Sequence, residues 1–518
     1  MYVKTILTVC LVLAGLSVPA QRNYYFSSHA GDDGDGSRLH PFSPSALGNL
    51  LLQKGDTVFF AGGDTFRVKQ VFKNIAGDKK QPVVFTTWGK GRALLDGGVA
   101  EALIFQNSRY FKIMHLSFLG AGRKTGNRTD GLTLTGCDYF SLTHLDIAGF
   151  QKAGLLLFNC RFATVDSVNA HDNGAVGVLV EGDYKKRLSA DIHITNCRAD
   201  NNPGDPTNLE NHSGNGILVG NSKNIMIEYC SATNNGWDMP RIGNGPVGIW
   251  AYEADSVIIQ HCISYRNKTA TGAADGGGFD LDGGVTNSII QYCLSYENQG
   301  TGYGIYQYYS ASRWNNNIVR YCVSINDGKI TENASGMYIW NGWNGDSTFT
   351  NFYAYQNFFY NDEKYAFSFS PLSQHKQFYF FNNIFVAADT SDIYYGTDSS
   401  ASDIFAGNVW MRKSGGFRQH GFSDFKEWSG KTGYEQLNKQ TAGHTFNHPL
   451  FFLPSSITLT DPHELAGSEL LRSLCNLQLQ NKGIHPDKIR RSLLAKQDFF
   501  GHAPVLGKKP EPGICEIK

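Results

Sequence analysis

A short text centred on cysteine recurs between residues 196 and 324, as Asn196-Cys197-Arg198-Ala199, Tyr229-Cys230-Ser231-Ala232, His261-Cys262-Ile263-Ser264, Tyr292-Cys293-Leu294-Ser295 and Tyr321-Cys322-Val323-Ser324. Successive cysteines in this series are 29 to 33 residues apart, and Cys160 precedes them. Self-similarity at a period of this size is the signature of stacked structural units. The sequence therefore predicts a solenoid in which each repeat is one coil.

Short β-branched runs precede the cysteines, as at Ile225/Ile227, Ile258/Ile259 and Ile289/Ile290. Bounded by Gly and Asn, these runs are too short for amphipathic helices and are typical of strands. A coil of roughly 30 residues without a helix can pair each strand with its neighbours about 4.8 Å above and below. We therefore predict an all-β fold, a single-stranded right-handed parallel β-helix.

In such a stack, equivalent residues form columns along the helix axis. The cysteine column is interpreted as a stack of small core residues, because thiols are among the groups most often buried. A second column follows five residues after each cysteine, at Asn202, Asn235, Asn267, Asn298 and Asp327. Its amides can hydrogen-bond along the stack, so we expect this column to be structural.

The chain ends predict export and capping. Residues 1–20 carry Lys4, an apolar run from Ile6 to Leu16 and a Val18-Pro19-Ala20 ending, a pattern typical of a secretory signal peptide. We predict an N-terminal cap with the first strands at 21–98, the β-helix at 99–411 and an irregular C-terminal cap at 412–518. Ser43-Pro44 predicts a short capping helix, and Cys475 and Cys515 are the best disulfide candidates in an oxidising compartment.

Composition excludes several classes of function. The 46 Lys+Arg balance 46 Asp+Glu, whereas a nucleic-acid-binding protein is normally basic. After the leader, no run approaches the roughly 18 apolar residues of a membrane span. We expect a monomer, either periplasmic or extracellular, that binds no nucleic acid and does not cross a membrane.

Counting back from the cysteines places one outward-facing strand in each coil. Asp280 and Asp282 share a face of this strand if Phe279 and Leu281 point inward. Neighbouring coils supply aromatic residues that suit the faces of sugar rings, and these are Trp250, Tyr252, Tyr306, Tyr308, Tyr338 and Trp340. The pattern predicts an aromatic groove with two acids at its centre.

Two neighbouring carboxylates can supply an acid and a base or nucleophile, since like charges raise one of the two pKa values. Glu297 and Glu253 are reserve candidates for the second acid. The alternatives for the aspartate pair are a structural role and Ca²⁺ binding. Long loops at 203–215, 236–246 and 268–277 are expected to bring Trp237, Arg241 and Asp275 to the groove.

Three segments near the N-terminus are Tyr24-Tyr25-Phe26-Ser27-Ser28, Gly31-Asp32-Asp33-Gly34 and Gly55-Asp56-Thr57-Val58-Phe59-Phe60. Together with the repeats, they resemble the pectate-lyase-like family of secreted bacterial β-helix carbohydrate enzymes. Ala274-Asp275-Gly276 to Phe279 partly resembles a strand of calcium-dependent lyases of the family nine type. The Asp-rich segment that follows in those lyases is here Glu297-Asn298-Gln299-Gly300-Thr301-Gly302-Tyr303. The resemblance thus implies an incomplete calcium cage with Asp275 as one ligand.

Three functions remain open. The leading hypothesis is a secreted glycoside hydrolase that cleaves a polysaccharide or oligosaccharide with Asp280 and Asp282 and requires no cofactor. The second is a polysaccharide lyase, in which cations, Ca²⁺ among them, neutralise a uronate and Lys268, Arg266 or Arg241 removes its proton. The third is a glycan-binding solenoid without catalysis.

Overall fold

A computed structural model describes residues 21–342, 348–370, 374–396, 402–490 and 493–517. Within these ranges, strands β1 to β39, numbered along the chain, form three parallel sheets, named A, B and C. Each coil contributes one strand to each sheet, which confirms the predicted right-handed parallel β-helix. The predicted signal peptide lies outside the described residues.

Each of the three sheets consists of strands from successive coils. Sheet A contains β1 (Asn23–Phe26), β2 (Thr57–Ala61), β5 (Val83–Trp88), β8 (Arg109–Met114), β11 (Asp138–Thr143), β14 (Arg161–Asp166), β17 (Ser189–Thr195), β20 (Ser222–Glu228), β23 (Asp255–Gln260), β26 (Ile289–Gln291), β29 (Trp314–Arg320), β32 (Phe349–Tyr355), β35 (Lys376–Phe381) and β38 (Ile404–Ala406). Sheet B contains β3 (Thr65–Arg67), β6 (Ala93–Gly98), β9 (Leu116–Gly120), β12 (Asp146–Ala148), β15 (Asn169–His171), β18 (Arg198–Asp200), β21 (Ser231–Thr233), β24 (Ile263–Tyr265), β27 (Leu294–Tyr296), β30 (Val323–Ile325), β33 (Phe358–Tyr360), β36 (Ile384–Ala387) and β39 (Val409–Arg412). Sheet C contains β4 (Gln70–Lys73), β7 (Leu103–Gln106), β10 (Leu132–Thr135), β13 (Ala153–Phe158), β16 (Val176–Glu181), β19 (Asn215–Gly220), β22 (Val247–Tyr252), β25 (Gly277–Leu281), β28 (Tyr303–Gln307), β31 (Met337–Asn341), β34 (Phe367–Phe369) and β37 (Tyr394–Tyr395).

The core between the sheets is filled by the inward side chains of each coil. The predicted cysteine column is confirmed, since Cys160, Cys197, Cys230, Cys262, Cys293 and Cys322 are buried free thiols, and Cys137 adds a seventh. Strand alternation sends Ile225 and Ile227 into the same core. Burial of this continuous apolar column is the main favourable contribution to the fold.

The asparagine column is a buried hydrogen-bonded ladder. The Asn235 side-chain amide donates to Asn267 Oδ1 at 2.9 Å, and Asn267 donates in the same way to Asn298 at 2.9 Å. The ladder ends at Asp327, whose Oδ1 accepts from Asn298 at 2.8 Å. A second ladder runs through Asn357, Asn383, Asn408 and Glu435. These bonds hold successive coils in register.

Both ends of the solenoid are covered. The predicted N-terminal helix is a 3₁₀ turn at Pro44–Asn49, with Ser43 as its N-cap. At the far end, helix α1 (Phe425–Thr432) packs Trp428 against Trp410 of the last sheet B strand, with ring centroids 5.4 Å apart. A small hairpin follows at β40 (Gln436–Leu437) and β41 (Gln440–Thr441), and the short helical turns are Pro462–Gly467, α2 (Glu469–Arg472), Leu477–Leu479 and Pro486–Lys488.

The rest of the C-terminal segment does not close the far end as the sequence suggested. It runs back along the outside of sheet B, where Tyr296 donates its hydroxyl to Leu459 O at 3.0 Å and His463 stacks on Tyr229. The reason is that this face of sheet B carries apolar and aromatic residues outward and requires a cover. The predicted disulfide between Cys475 and Cys515 is present. None of the helices in the described part of the chain has the length and apolarity required to cross a membrane.

Asp327→Asn is expected to reduce the pH dependence of stability. Burial raises the pKa of Asp327 to about 7, so the folded state holds this proton more tightly than the unfolded state does. The contribution of this proton to the free energy of unfolding is complete at acidic pH and is lost as the pH rises through about 7. The amide cannot titrate, so urea unfolding at about pH 5 and about pH 8 should show a smaller loss in the variant than in the wild type. Equal losses in both proteins would contradict this role of Asp327.

Candidate active site

A groove of about 1280 Å³ runs along the outer side of sheet C. Its floor consists of outward side chains from β16 to β31, and one wall consists of the loops that precede these strands. Phe279 and Leu281 of β25 are fully buried in the core, which directs Asp280 to the groove side as predicted. The parallel register thus brings distant parts of the chain to one surface.

Asp280 lies on the groove side of β25, opposite Trp250 of β22 and Gly304 of β28. Its side chain is 3% exposed, and its Oδ1 has no hydrogen-bond partner among the described residues. Burial raises the pKa of Asp280 well above its usual value, and the charges of Asp282 and Asp275 raise it further. The neutral form of this carboxyl is therefore favoured more than in a solvent-exposed aspartate. The sequence predicted a raised pKa from repulsion, but burial is the larger cause.

Asp282 follows the end of β25 and lines the groove. Burial raises its pKa to about 7, with a smaller contribution from the charge of Asp275. The N–H of Gly283 donates to Asp282 Oδ1 at 2.7 Å, which opposes the increase because it stabilises the carboxylate. Asp280 and Asp282 thus have different proton affinities on one strand end.

Asp275 is a third carboxyl group of this site. It lies at the end of the loop before β25 and lines the groove. Burial raises its pKa to about 6, and the Gly245 N–H donates to its Oδ2 at 2.8 Å. The charge of Asp275 acts on Asp280, Asp282 and Tyr306, so it belongs to the same cluster.

The groove contains all six aromatic residues predicted from the outward strands, namely Trp250, Tyr252, Tyr306, Tyr308, Tyr338 and Trp340. Counting back from the cysteines predicts Tyr306 opposite Asp280 and Tyr338 opposite Tyr306. Both pairings are wrong, because Asp280 lies opposite Gly304, and Tyr306 lies opposite Trp340. The turn from Tyr308 to Arg313 is longer than the equivalent turn after Tyr252, so counting back from the cysteines displaces this coil by two residues.

Gly304 allows the close approach of Asp280 and Tyr306. A Cβ atom at position 304 would lie 2.7 Å from the Tyr306 ring and 3.1 Å from Asp280 Cγ. Glycine at position 304 therefore leaves room for the Tyr306 ring beside Asp280.

Glu253 lies below the groove floor and is fully buried. Its Oε1 accepts from the Ser312 N–H at 2.8 Å and from the Tyr308 hydroxyl at 3.4 Å, and Lys185 Nζ is 3.8 Å away. The carboxyl group is next to the site but does not line the groove.

Asp280, at 3% exposure, is not itself among the residues that line the groove. Three other predicted site residues do not line it either. Glu297 follows a strand of sheet B, pairs with Arg266 at 2.8 Å and accepts the N–H of Ile457. Trp237 donates to Asn201 and lies against Arg123. Arg241 is held by Asn244 on the rim. Alternation predicted strand residues well, but loop conformation is not encoded in the repeat.

Sequence reasoning missed the end of the groove at Glu181. Glu181 accepts hydrogen bonds from the hydroxyl of Tyr252 and the amide of Asn221. The available signal was Gly220, where a Cβ would lie 2.3 Å from the Tyr252 ring and 2.8 Å from Glu181 Oε2. A glycine in an outward column thus marked the contact between an acid and an aromatic ring.

The groove lining is acidic. Its described residues include Glu181, Asp275, Asp282 and Glu332 but no Lys or Arg. Among the described residues, no three His, Cys, Asp or Glu side chains converge as a set of metal ligands, whereas Ca²⁺ takes six to eight oxygen ligands. The described residues do not fit the calcium cage suggested by the sequence, and we derive no step through a metal.

The three parallel sheets define a right-handed parallel β-helix protein with an acid-lined groove along sheet C. The family described as Pel9A-like, right handed beta helix region matches residues 24–370. The chain therefore belongs to the Pel9A-like β-helix family. No curated protein matches its sequence.

Solved structures with a similar fold include enzymes of different activities. The GH136 lacto-N-biosidase from Eubacterium ramulus is 16% identical with a TM-score of 0.49, over 74% of this chain and 67% of that one. Pectate lyase Pel9A is 16% identical with a TM-score of 0.47, over 97% and 98%. The PL6 alginate lyase AlyGC is 12% identical with a TM-score of 0.50, over 75% and 51%. At these identities the likeness establishes the fold alone.

Infrared difference spectroscopy is expected to detect a protonated carboxyl group at position 280. At neutral pH, Asp280→Asn should remove intensity from the C=O band of protonated carboxyl groups, because burial raises the pKa of Asp280. Asp35→Asn is the control, since the N–H of Ser37 lowers the pKa of that exposed carboxyl group. An unchanged band in Asp280→Asn would show that Asp280 is ionised.

Proposed function

We propose that this protein is a glycoside hydrolase that acts on a neutral oligosaccharide or polysaccharide. The observation that carries the proposal is an aromatic groove with Asp282 in its lining, Asp280 directly behind it on the same strand end with a raised pKa, and no Lys or Arg among the described lining residues. Four lining carboxyl groups would repel a uronate chain, whereas neutral sugars carry no charge to be repelled.

In the proposed reaction, Asp280 protonates the oxygen of the leaving sugar, because its raised pKa favours the protonated form. Asp282 acts in its ionised form as the base that activates water or as the nucleophile. The N–H of Gly283 stabilises that ionised form. Alternate residues on a strand are about 6.5–7 Å apart at Cα, which is compatible with either stereochemical outcome.

The aromatic side chains would position the sugars around these acids. Sugar C–H groups stack on the electron-rich faces of aromatic rings. Trp250 lies opposite Asp280 in the sheet, and the Tyr306 ring lies beside Asp280 over Gly304. The Trp250 indole is fixed by a hydrogen bond to Asn215 Oδ1 at 3.0 Å. Such fixed rings would hold a glycosidic bond at the acids and so reduce the entropic cost of the reaction.

The geometry supports a lyase less well. A lyase must neutralise the uronate carboxylate and remove a C5 proton, for which the sequence offered Lys268, Arg266 and Arg241. Arg266 is paired with Glu297 beside sheet B, Arg241 is bound to Asn244, and none of the three lines the groove. A binding protein without catalysis is supported less well, because carboxyl groups with raised pKa values cluster at the groove beside aromatic rings. The proposed hydrolase would be exported through the leader at 1–20.

Asp280→Asn and Asp282→Asn are each expected to lower kcat by about 10² to 10⁴. The first removes the transferable proton and the second removes the base or nucleophile, while the melting temperature changes little because each replacement is isosteric. The measurement is the release of reducing ends from a polysaccharide panel, with absorbance of unsaturated uronates recorded in parallel. Asp138→Asn, in an exposed pair with Arg161 on sheet A, is the matched control.

Full activity in both variants would remove the site assignment. Products that absorb as unsaturated uronates, together with a strict calcium requirement that a chelator reveals, would replace the hydrolase with a lyase. Retained glycan binding without any cleavage by the wild-type protein would identify a binding module.

Asp275→Asn is expected to shift the alkaline limb of the pH profile to lower pH. The charge of Asp275 raises the pKa of Asp280, so its removal lets the catalytic acid lose its proton at lower pH. The measurement is kcat/KM against pH for wild type and variant. An unshifted profile would show that Asp275 does not act on the catalytic acid.

A further inference from the structure

The outward face of sheet C continues beyond the groove. Tyr338 of β31 lies opposite Ser368 of β34, which in turn lies opposite Tyr395 of β37. The ring of Tyr365 stacks on that of Tyr395, with centroids 5.1 Å apart and planes 20° apart. Tyr395 is 39% exposed and Tyr365 is half-buried. A supported aromatic ring is thus presented to solvent on the same sheet as the acids.

This pair of tyrosines is continuous with the groove. Glu332 and Asn333 line the groove, and the charge of Glu332 acts on the hydroxyls of both Tyr338 and Tyr365. The nearby cation, Lys364, donates to the carbonyls of Gly328 and Thr331. The described surface between the groove and Tyr395 is therefore polar and aromatic, and Lys364 beside it is bound by backbone carbonyls.

We propose that Tyr365 and Tyr395 form a remote glycan subsite, which binds a neutral sugar of the same chain whose glycosidic bond lies at Asp280 and Asp282. This inference rests on the proposed function, because it extends the same groove. β37 is four strands from β25, and four spacings of about 4.8 Å place the subsite about 19 Å from the acids. Only a substrate of several sugars can reach both places.

A subsite of this kind favours long chains. A short oligosaccharide held at the acids does not contact Tyr395, whereas a polysaccharide gains one more stacking contact. Tyr365 covers one face of the Tyr395 ring and fixes its orientation, which limits the entropy lost on binding. The stacking contact is worth about threefold to tenfold in affinity.

The test uses two measurements on the full chain. Binding of Asp280→Asn to xyloglucan, galactomannan and laminarin, and to short oligosaccharides of each, is measured by calorimetry with and without Tyr395→Ala. The second measurement is kcat/KM of Tyr395→Ala in the active protein across oligosaccharides of increasing length. Tyr139→Ala is the matched control, because Tyr139 is 44% exposed and also stacks on a neighbouring tyrosine, but on sheet A.

We expect Tyr395→Ala to lose affinity and kcat/KM by a factor that grows with chain length to about threefold to tenfold, and Tyr395→Phe to retain both. Any of four results would overturn the subsite. These are a loss that is independent of chain length, no loss, an equal loss in Tyr139→Ala, and no binding of any glycan by the Asp280→Asn protein. Weaker polymer binding in a protein that cleaves nothing would keep the subsite and reject the hydrolase. Cleavage with a dependence of kcat/KM on chain length that Tyr395→Ala does not alter would keep the hydrolase and reject the subsite.

Discussion

Parallel stacking in register is the constraint on which the whole structure depends. Each coil forms its backbone ladders only with the coils above and below it, so the strand pairs and the buried amide ladders must all agree on one alignment. The ladder from Asn235 to Asp327 fixes that alignment with side-chain bonds of 2.8–2.9 Å. A slip of one residue in the strand register would turn every inward side chain outward. The apolar side chains would then be exposed to water, and the acids would point into the interior.

The chemistry of the groove follows from this alignment. Asp280 has a high pKa because the neighbouring coils and their loops exclude water from it, and not chiefly because another charge is near. Gly304 leaves space that a side chain would fill, so that a ring can approach the acid. The lining offers acids and aromatic rings without described cations, a combination suited to neutral sugars. The fold alone does not determine the substrate, because one fold can carry many different sites.

The sequence was sufficient for the fold and for most of the groove floor, because both follow from periodicity. The cysteine spacing defined the coil, and strand alternation placed Asp280 and Trp250 on one face. Prediction from periodicity failed where a turn changes length, as after Gln307. It also failed where a residue lies on a loop, as with Trp237 and Arg241. The role of Asp275 depends on burial and on the Gly245 N–H, and both arise only from tertiary contacts.

The most direct test of the central claim is a crystal structure of the Asp280→Asn protein soaked with an oligosaccharide that the wild type cleaves. We expect a glycosidic oxygen within hydrogen-bond distance of residue 280, with Asp282 beside the same bond and sugar rings on Trp250 and Tyr306. Sugar bound on sheet A or sheet B, or in the groove with its glycosidic bonds remote from both positions, would contradict it.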